Sequence, residues 1–312
     1  MRSGSAPLVG FNIIMSLSTK LHTFLEFLRA PIRLSHETAA MHASLRRLSQ
    51  ITGKLCESQL RASLPVDHLA RNGYSVYSQN DEDGILMEIF RRVGSTNRSF
   101  VEIGTGDGMQ CNTTHLLLQG WSGCWIEIDR DACSRAGEIF AQQISACQLT
   151  CHCQRVTAEN INSLLGSYDG PNEPDLLSID IDGNDYWVWK AIDQVKPRVV
   201  VIEYNAGFGP DLDWVMDYNA EASWDGSRRQ GASLTALEHL GTQKGYQLVG
   251  CNLFGVNAFF VRENAIGNAF VGPFTTRHHY MPPLYSPPDY HWPMFRGHDP
   301  SAREISGMSR VR

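Results

Sequence analysis

The sequence lacks several features that would assign it quickly to a class. None of its apolar runs approaches the roughly 20 residues that a membrane-spanning helix needs. Lys and Arg total 27 against 33 Asp and Glu, and the resulting net charge of −6 argues against a protein built mainly to bind nucleic acid or an anionic membrane. Eight cysteines spread over 312 residues do not form a secreted disulfide framework. We therefore expect a cytoplasmic protein with no membrane span.

The composition allows a large folded domain, because 42% of residues are hydrophobic and 19% are charged. Residues 1–65 are predicted to form a helical extension, whose second helix follows Ser35 and stops at Pro65. The apolar stripe of that helix is narrow and consists of Met41, Leu45, Leu48 and Leu55. Such a stripe suits either a homo-oligomer seam or a helix that packs on its own domain.

Residues 74–264 alternate between apolar strands and helices. The predicted strands cover residues 99–103, 124–128, 149–156, 176–181, 198–204, 246–251 and 256–261. Near-continuous apolar strands with helices between them are typical of a parallel sheet covered on both faces, so the fold class is α/β. The short loop before the last strand predicts an antiparallel pair at one edge. Residues 265–312, rich in Pro, His and Tyr, are expected to form an irregular tail.

A glycine-rich turn follows the first of these strands. Its spacing, Gly104-x-Gly106-x-Gly108, differs from the dinucleotide fingerprint, and Glu102 stands just before it. A pyrophosphate would be repelled by that carboxylate, whereas a cationic ligand would be attracted. Glu127 ends the second strand at the distance typical of an acid that binds both ribose hydroxyls. The pattern therefore predicts a nucleoside-containing ligand that carries a positive charge.

These residues resemble the first two motifs of the Rossmann-like S-adenosylmethionine-dependent methyltransferases, and more closely the FkbM type. The resemblance rests on residues 77–84, the Glu102–Gly108 turn, and the segments 120–127, 178–185 and 201–205. It covers about residues 74–262. Two departures are Asp180-Ile181-Asp182-Gly183 in place of an Asp-Val-Glu-Gly-like stretch, and Glu127-Ile128 in place of Glu-Pro.

The resemblance implies a seven-stranded sheet of order 3-2-1-4-5-7-6 and S-adenosylmethionine as cofactor. Glu102 and the glycine turn would approach its methionine part, and Glu127 would hold its ribose. The full predicted cofactor set is Gln79, Glu102, Gly104, Gly106, Gly108, Glu127 and Asp180.

Acidic residues end the fourth and fifth strands, and the ends of neighbouring parallel strands converge. Alternation along the fourth strand would place Asp180 and Asp182 on the same side. In one interpretation, Asp182, Asp180 and Glu203 are catalytic carboxylates that orient an acceptor hydroxyl and take its proton. Alternatively, oxygen ligands would hold magnesium, or the acids would only cap the following helix. The four residues of the magnesium alternative are Asp182, Asp185, Glu203 and Asn205.

An insertion of 26 residues, 206–231, follows the fifth strand and is rich in aromatic residues. Its rings would either stack on a sugar or pack together as a small core. The predicted substrate contacts are Asp185, Tyr204, Asn205 and Trp224. Cys147, Cys151 and Cys153 lack zinc-site spacing, so core packing is expected for them.

The predicted function is methylation of a sugar or polyol hydroxyl in glycan biosynthesis, with a small-molecule or glycan acceptor as partner and no nucleic acid. An O- or N-methyltransferase of a natural product, assisted by magnesium, is the enzymatic alternative. A non-catalytic binding subunit is the alternative from another class.

Overall fold

The structure is a computed structural model that describes residues 38, 41–222 and 229–284. The first predicted helix, Trp224 and the tail beyond residue 284 lie outside these residues. The chain divides into two compact units, of which the smaller contains residues 41–58 and the larger the described residues from 59 onward. Helix α1 covers residues 41–63, and the four side chains of its predicted apolar stripe are exposed.

The larger unit consists of a sheet and the helices around it. Its strands are β1 (Ser99–Ile103), β2 (Ser122–Glu127), β3 (Leu149–Cys153), β4 (Leu176–Ile179), β5 (Val199–Glu203), β6 (Tyr246–Cys251) and β7 (Asn257–Arg262). Its helices are α2 (Glu82–Val93), α3 (Thr114–Leu118), α4 (Arg130–Ile139), α5 (Ala141–Ser145), α6 (Ile161–Gly166), α7 (Asp185–Ala191), α8 (Leu234–Gln243), α9 (Glu263–Ile266) and α10 (Thr276–His279).

The seven strands form one sheet of order β3-β2-β1-β4-β5-β7-β6. All neighbouring pairs from β3 to β5 are parallel, and β7 is antiparallel to both β5 and β6. The predicted α/β class, strand order and antiparallel edge are therefore confirmed. In this order the carboxyl ends of β1, β2, β4 and β5 lie at one edge of the sheet, where open α/β sheets bind ligands.

The sheet is buried on both faces, which is why its strands are almost continuously apolar. One face packs against a cluster that includes Trp189 and Leu237, and the other against a cluster that includes Ile85 and Phe90. The strand β1 is buried along its whole length, from Ser99 to Ile103. This rigid centre fixes the loops at the carboxyl edge.

Several boundaries differ from the predicted ones. Strand β4 ends at Ile179 and not at residue 181, and β3 ends at Cys153 and not at residue 156. The expected core packing of the cysteines is wrong for Cys147 and Cys153, which are exposed. Both lie at or beyond the ends of β3, an outer strand that only β2 flanks, so neighbouring chain does not cover them. Within the predicted irregular tail, four residues form the short helix α10.

Candidate cofactor and acceptor site

The turn after β1 depends on glycine for two different reasons. Gly104 has φ +84°, and a Cβ there would overlap the carbonyl oxygen of Asp180, which follows β4. The close approach is held by backbone bonds, from Gly104 N to Ile126 O at 2.9 Å and from Asp180 N to Ile103 O at 3.0 Å. Gly104 thus allows the ends of β1, β2 and β4 to meet.

Gly106 lies at the open front of the turn. It is exposed, has φ +55°, and a Cβ there would meet no atom within 4 Å. Behind it, a Cβ on Gly108 would stand 2.6 Å from the Trp125 ring. The turn is therefore packed from behind and open in front, which is the shape of a cradle for a ligand that needs close contact with backbone.

Glu127 lies beside this opening. One carboxylate oxygen accepts the Gly106 N–H at 2.6 Å, and the other accepts the N–H groups of Ile128 at 2.7 Å and Asp129 at 2.8 Å. The side chain is partly exposed. These bonds hold the carboxylate in the cleft, where its oxygens are suited to a vicinal diol.

Glu102 is placed differently from the other acids of the site. It is 1% exposed, and its oxygens accept the N–H groups of Asn112 at 2.8 Å and Thr113 at 2.9 Å, the Thr113 hydroxyl, and the Ser178 hydroxyl at 3.2 Å. Burial raises its pKa, and these hydrogen bonds oppose the rise. In this structure Glu102 anchors the chain between the turn and α3.

Three carboxylates converge at the ends of β4 and β5. One oxygen from each of Asp180, Asp182 and Glu203 lies within 4.8 Å of the other two, and these residues form the group of possible metal ligands found among the described residues. Asp180 and Glu203 are partly buried, and Asp182 is exposed at φ +56°. The structure thus brings together all three residues predicted to be catalytic.

Burial and mutual repulsion change the acidity of this cluster. Burial, followed by the nearby carboxylates of Asp185 and Asp182, holds the pKa of Asp180 well above its ordinary value. Burial and then Asp180 do the same for Glu203. Partial desolvation and the charge of Glu127 raise the pKa of Asp182, so Glu127 lies close enough to the cluster to act on it electrostatically. The cleft therefore carries negative charge or protonated carboxyl groups, and a cation would be stabilised in it.

Of the other predicted site residues, Asp185, Tyr204 and Asn205 are hydrogen-bonded to the protein backbone, and Gln79 is exposed to solvent. Asp185 accepts the N–H groups of Ile181 at 2.8 Å and Gly183 at 2.9 Å, so its oxygens hold the β4–α7 loop. Tyr204 is 2% exposed and donates its hydroxyl to Met281 O at 2.8 Å. Asn205 accepts the Gly207 N–H and donates to Gln230 O, both at 3.0 Å.

The insertion after β5 is packed onto the domain through several contacts. Phe208 and Trp214 are buried against each other, with ring centroids 4.3 Å apart. Trp187 of α7 donates its indole N–H to Met216 O at 2.8 Å, and Asn184 donates to Asn219 O at 2.7 Å. Of the two interpretations of the aromatic residues, a small core therefore describes Phe208 and Trp214. The described part of the insertion borders α7, directly after the acidic cluster.

A buried hydrogen-bond network at the start of α2 was not predicted from the sequence. Glu82 accepts amide N–H groups from Asn252 at 2.8 Å and Asn257 at 3.0 Å, which flank the β6–β7 turn. Asp83 accepts the three backbone N–H groups of residues 76–78. The acidic run at the start of α2 was visible in the sequence, but the partners of Glu82, which lie 170 or more positions away, were not.

The seven-stranded sheet with an antiparallel edge and a glycine turn at its carboxyl edge defines a Rossmann-like methyltransferase fold. Residues 91–223 match the family profile described as the methyltransferase FkbM domain. This match lies within the predicted span of about 74–262, and it confirms the resemblance. The match is to a methyltransferase domain and covers residues 91–223, which is less than half of the chain. The open turn at Gly106, the carboxylate of Glu127 and the neighbouring acidic cluster are compatible with S-adenosylmethionine, which is a cationic nucleoside.

Solved structures of methyltransferases are similar to the chain over part of its length. A magnesium protoporphyrin IX methyltransferase from Synechocystis is 10% identical with a TM-score of 0.40, covering 59% of this chain and 79% of its own. An O-methyltransferase of tomaymycin synthesis from Streptomyces achromogenes is 18% identical with a TM-score of 0.35, covering 57% and 78%. No curated protein sequence matches the chain significantly. Among the described residues, no helix is long and apolar enough to cross a membrane.

Proposed function

We propose that this protein transfers a methyl group to a hydroxyl oxygen of a sugar or another polyol, in glycan biosynthesis in the cytoplasm. The observation that carries the proposal is the convergence of Asp180, Asp182 and Glu203 beside the cofactor turn. Carboxylates accept hydrogen bonds from hydroxyl groups, and a carboxyl group that holds its proton also donates one, so the cluster matches the hydrogen bonding of a polyol. Their raised pKa values also bring them closer to what a general base needs near neutral pH.

The roles of the residues follow from their positions. Bound S-adenosylmethionine would supply an electrophilic methyl group on a cationic sulfonium. Gly104, Gly106 and Gly108 would let the backbone approach it, Glu127 would accept the ribose hydroxyls, and Glu102 would keep the turn in place. Asp182, the most exposed acid of the cluster, would accept the proton of the acceptor hydroxyl, while Asp180 and Glu203 orient that hydroxyl in line with the methyl group.

The test is methyl transfer from radiolabelled S-adenosylmethionine to a panel of monosaccharides, polyols and amines. Asp182→Asn should lower turnover by about 10²–10⁴-fold, the usual contribution of a general base, and Glu203→Gln should lower it because the acceptor hydroxyl is no longer held in line. Asp193→Asn, which changes an exposed acid outside the site, is the matched control and should retain activity. Transfer to amines alone, or full turnover in Asp182→Asn, would contradict the proposal.

A metal-assisted version of the reaction is a second candidate, since oxygens of the same three acids lie close enough together to share a cation. Treatment with a chelator distinguishes the metal-assisted reaction from one in which the carboxylates act without a metal. EDTA followed by dialysis should leave turnover unchanged if the carboxylates act alone. Loss of turnover that magnesium restores would assign the cluster to a metal ion.

A further inference from the structure

Two cysteines meet beside Glu127, the residue proposed to hold the cofactor ribose. Cys133 lies in the first turns of α4, and Cys153 is the last residue of β3, paired in register with Glu127 itself. The Cys153 thiol lies near enough to the Cys133 thiol to raise its pKa. The two sulfurs also lie against neighbouring carbonyls, Cys133 Sγ at 3.6 Å from Glu127 O and Cys153 Sγ at 4.0 Å from Ile128 O.

The two thiols differ in a way that suits stepwise oxidation. Cys153 is exposed and accessible to a soluble oxidant, whereas Cys133 is partly buried behind it. Burial and the contact with Cys153 raise the pKa of Cys133 to about 12, so it is the poorer first nucleophile. An exposed thiol in contact with a second, shielded thiol is the arrangement in which the first is oxidised and the second closes the disulfide.

We propose that Cys133 and Cys153 are a redox modification site, at which a hydroperoxide forms a reversible disulfide that weakens cofactor binding. In the first step the Cys153 sulfur attacks the peroxide, the O–O bond breaks, and a sulfenic acid and an alcohol or water result. In the second step the Cys133 sulfur displaces water from that sulfenic acid. Overall, two thiols are oxidised to one disulfide and the peroxide is reduced.

The disulfide would act on the loop that positions Glu127. A sulfur–sulfur bond of about 2.05 Å draws α4 towards the end of β3 and removes both S–H donors from the carbonyls of Glu127 and Ile128. The same segment carries the N–H groups of Ile128 and Asp129, which hold the Glu127 carboxylate in place. The coupling between disulfide and cofactor rests on the proposed role of Glu127, whereas disulfide formation rests only on the proximity of the two thiols.

Peptide mapping of the full chain tests the first part. After treatment with hydrogen peroxide, the unreduced digest should contain a peptide pair joined through Cys133 and Cys153, and dithiothreitol should separate it. Cys133→Ser and Cys153→Ser should each abolish the pair. Cys147→Ser, which removes another exposed thiol close to β3, is the matched control and should retain it. Oxidation of Cys153 without any linked pair in the wild-type protein would overturn the proposal.

Calorimetric titration with S-adenosylmethionine tests the second part. The oxidised protein should bind at least about fivefold more weakly than the reduced protein, the lower end of typical coupling between sites. Peroxide should have no such effect on Cys153→Ser. Equal affinities of the reduced protein and the linked protein would overturn the coupling. A reduced protein that binds no cofactor would instead overturn the proposed function, and the linked pair would still establish the modification site.

Discussion

Gly104 and Gly106 show at the scale of single residues how one turn needs glycine for different reasons. Both have positive φ, but only at Gly104 would a Cβ meet backbone. We expect Gly104→Ala to lower the free energy of unfolding by at least about 3 kcal/mol, because Asp180 must shift. Gly106→Ala is the matched control. It should lower the free energy of unfolding by only about 1–2 kcal/mol, which is the cost of a left-handed backbone conformation for alanine. Urea unfolding of both variants measures this, and equal losses would contradict it.

Glu127 is expected to contribute mainly to affinity for the cofactor. Glu127→Ala removes both proposed acceptors for the ribose hydroxyls and releases the Gly106 N–H. Loss of hydrogen bonds to a charged group costs about 1.5–3 kcal/mol, so titration calorimetry should show S-adenosylmethionine binding about 10–150-fold more weakly. Glu138→Ala on the exposed face of α4 provides the control. Binding as tight in Glu127→Ala as in this control would disprove the ribose assignment.

The sequence predicted the convergence of Asp180, Asp182 and Glu203, but not the way it arises. Alternation along β4 was the expected reason, yet the strand ends at Ile179. Asp182 reaches the cluster through a left-handed backbone conformation that no period of two describes. Asp185 was placed in the same group, and its oxygens are instead used by the N–H groups of the loop. The conformation of the β4–α7 loop decides where Asp182 and Asp185 lie. That conformation depends on tertiary contacts that the local sequence pattern does not show.

At the scale of elements, the start of α2 is fastened to the β6–β7 turn through Glu82. Asn257→Asp would replace a donor to this buried carboxylate by an acid of the same shape. We expect a loss of about 3–5 kcal/mol of unfolding free energy at pH 7, because a buried charge loses its partner and gains a like charge. The exposed Asn264→Asp is the control and should change stability little. Urea unfolding distinguishes them, and similar losses would show that this link is unimportant.

For the whole molecule, Asp81 is expected to make the free energy of unfolding depend on pH. Burial and the neighbouring Glu82 raise its pKa from 3.8 to about 7, against the opposing effect of Arg61. Between about pH 4 and pH 7 the unfolded chain loses this proton while the folded chain keeps it, so this contribution to stability is present at low pH and is lost as pH rises through that window. We expect Asp81→Asn to flatten the dependence of unfolding free energy on pH. Asp169→Asn at an exposed position should not, and a slope unchanged in both variants would refute the assignment.

For the molecule as a whole, the sequence by itself determined the α/β class, the antiparallel edge and the glycine turn with its two acids. These follow from local patterns, because strand burial, helix period and turn residues are written in neighbouring positions. Tertiary structure alone decided which carboxylates point into the cleft, that Glu102 is enclosed by the chain before α3, that Glu82 binds asparagines of a distant turn, and that Cys133 meets Cys153. Each of these depends on contacts between residues that are not neighbours in the sequence, and only the packing of the sheet and its loops brings such residues together.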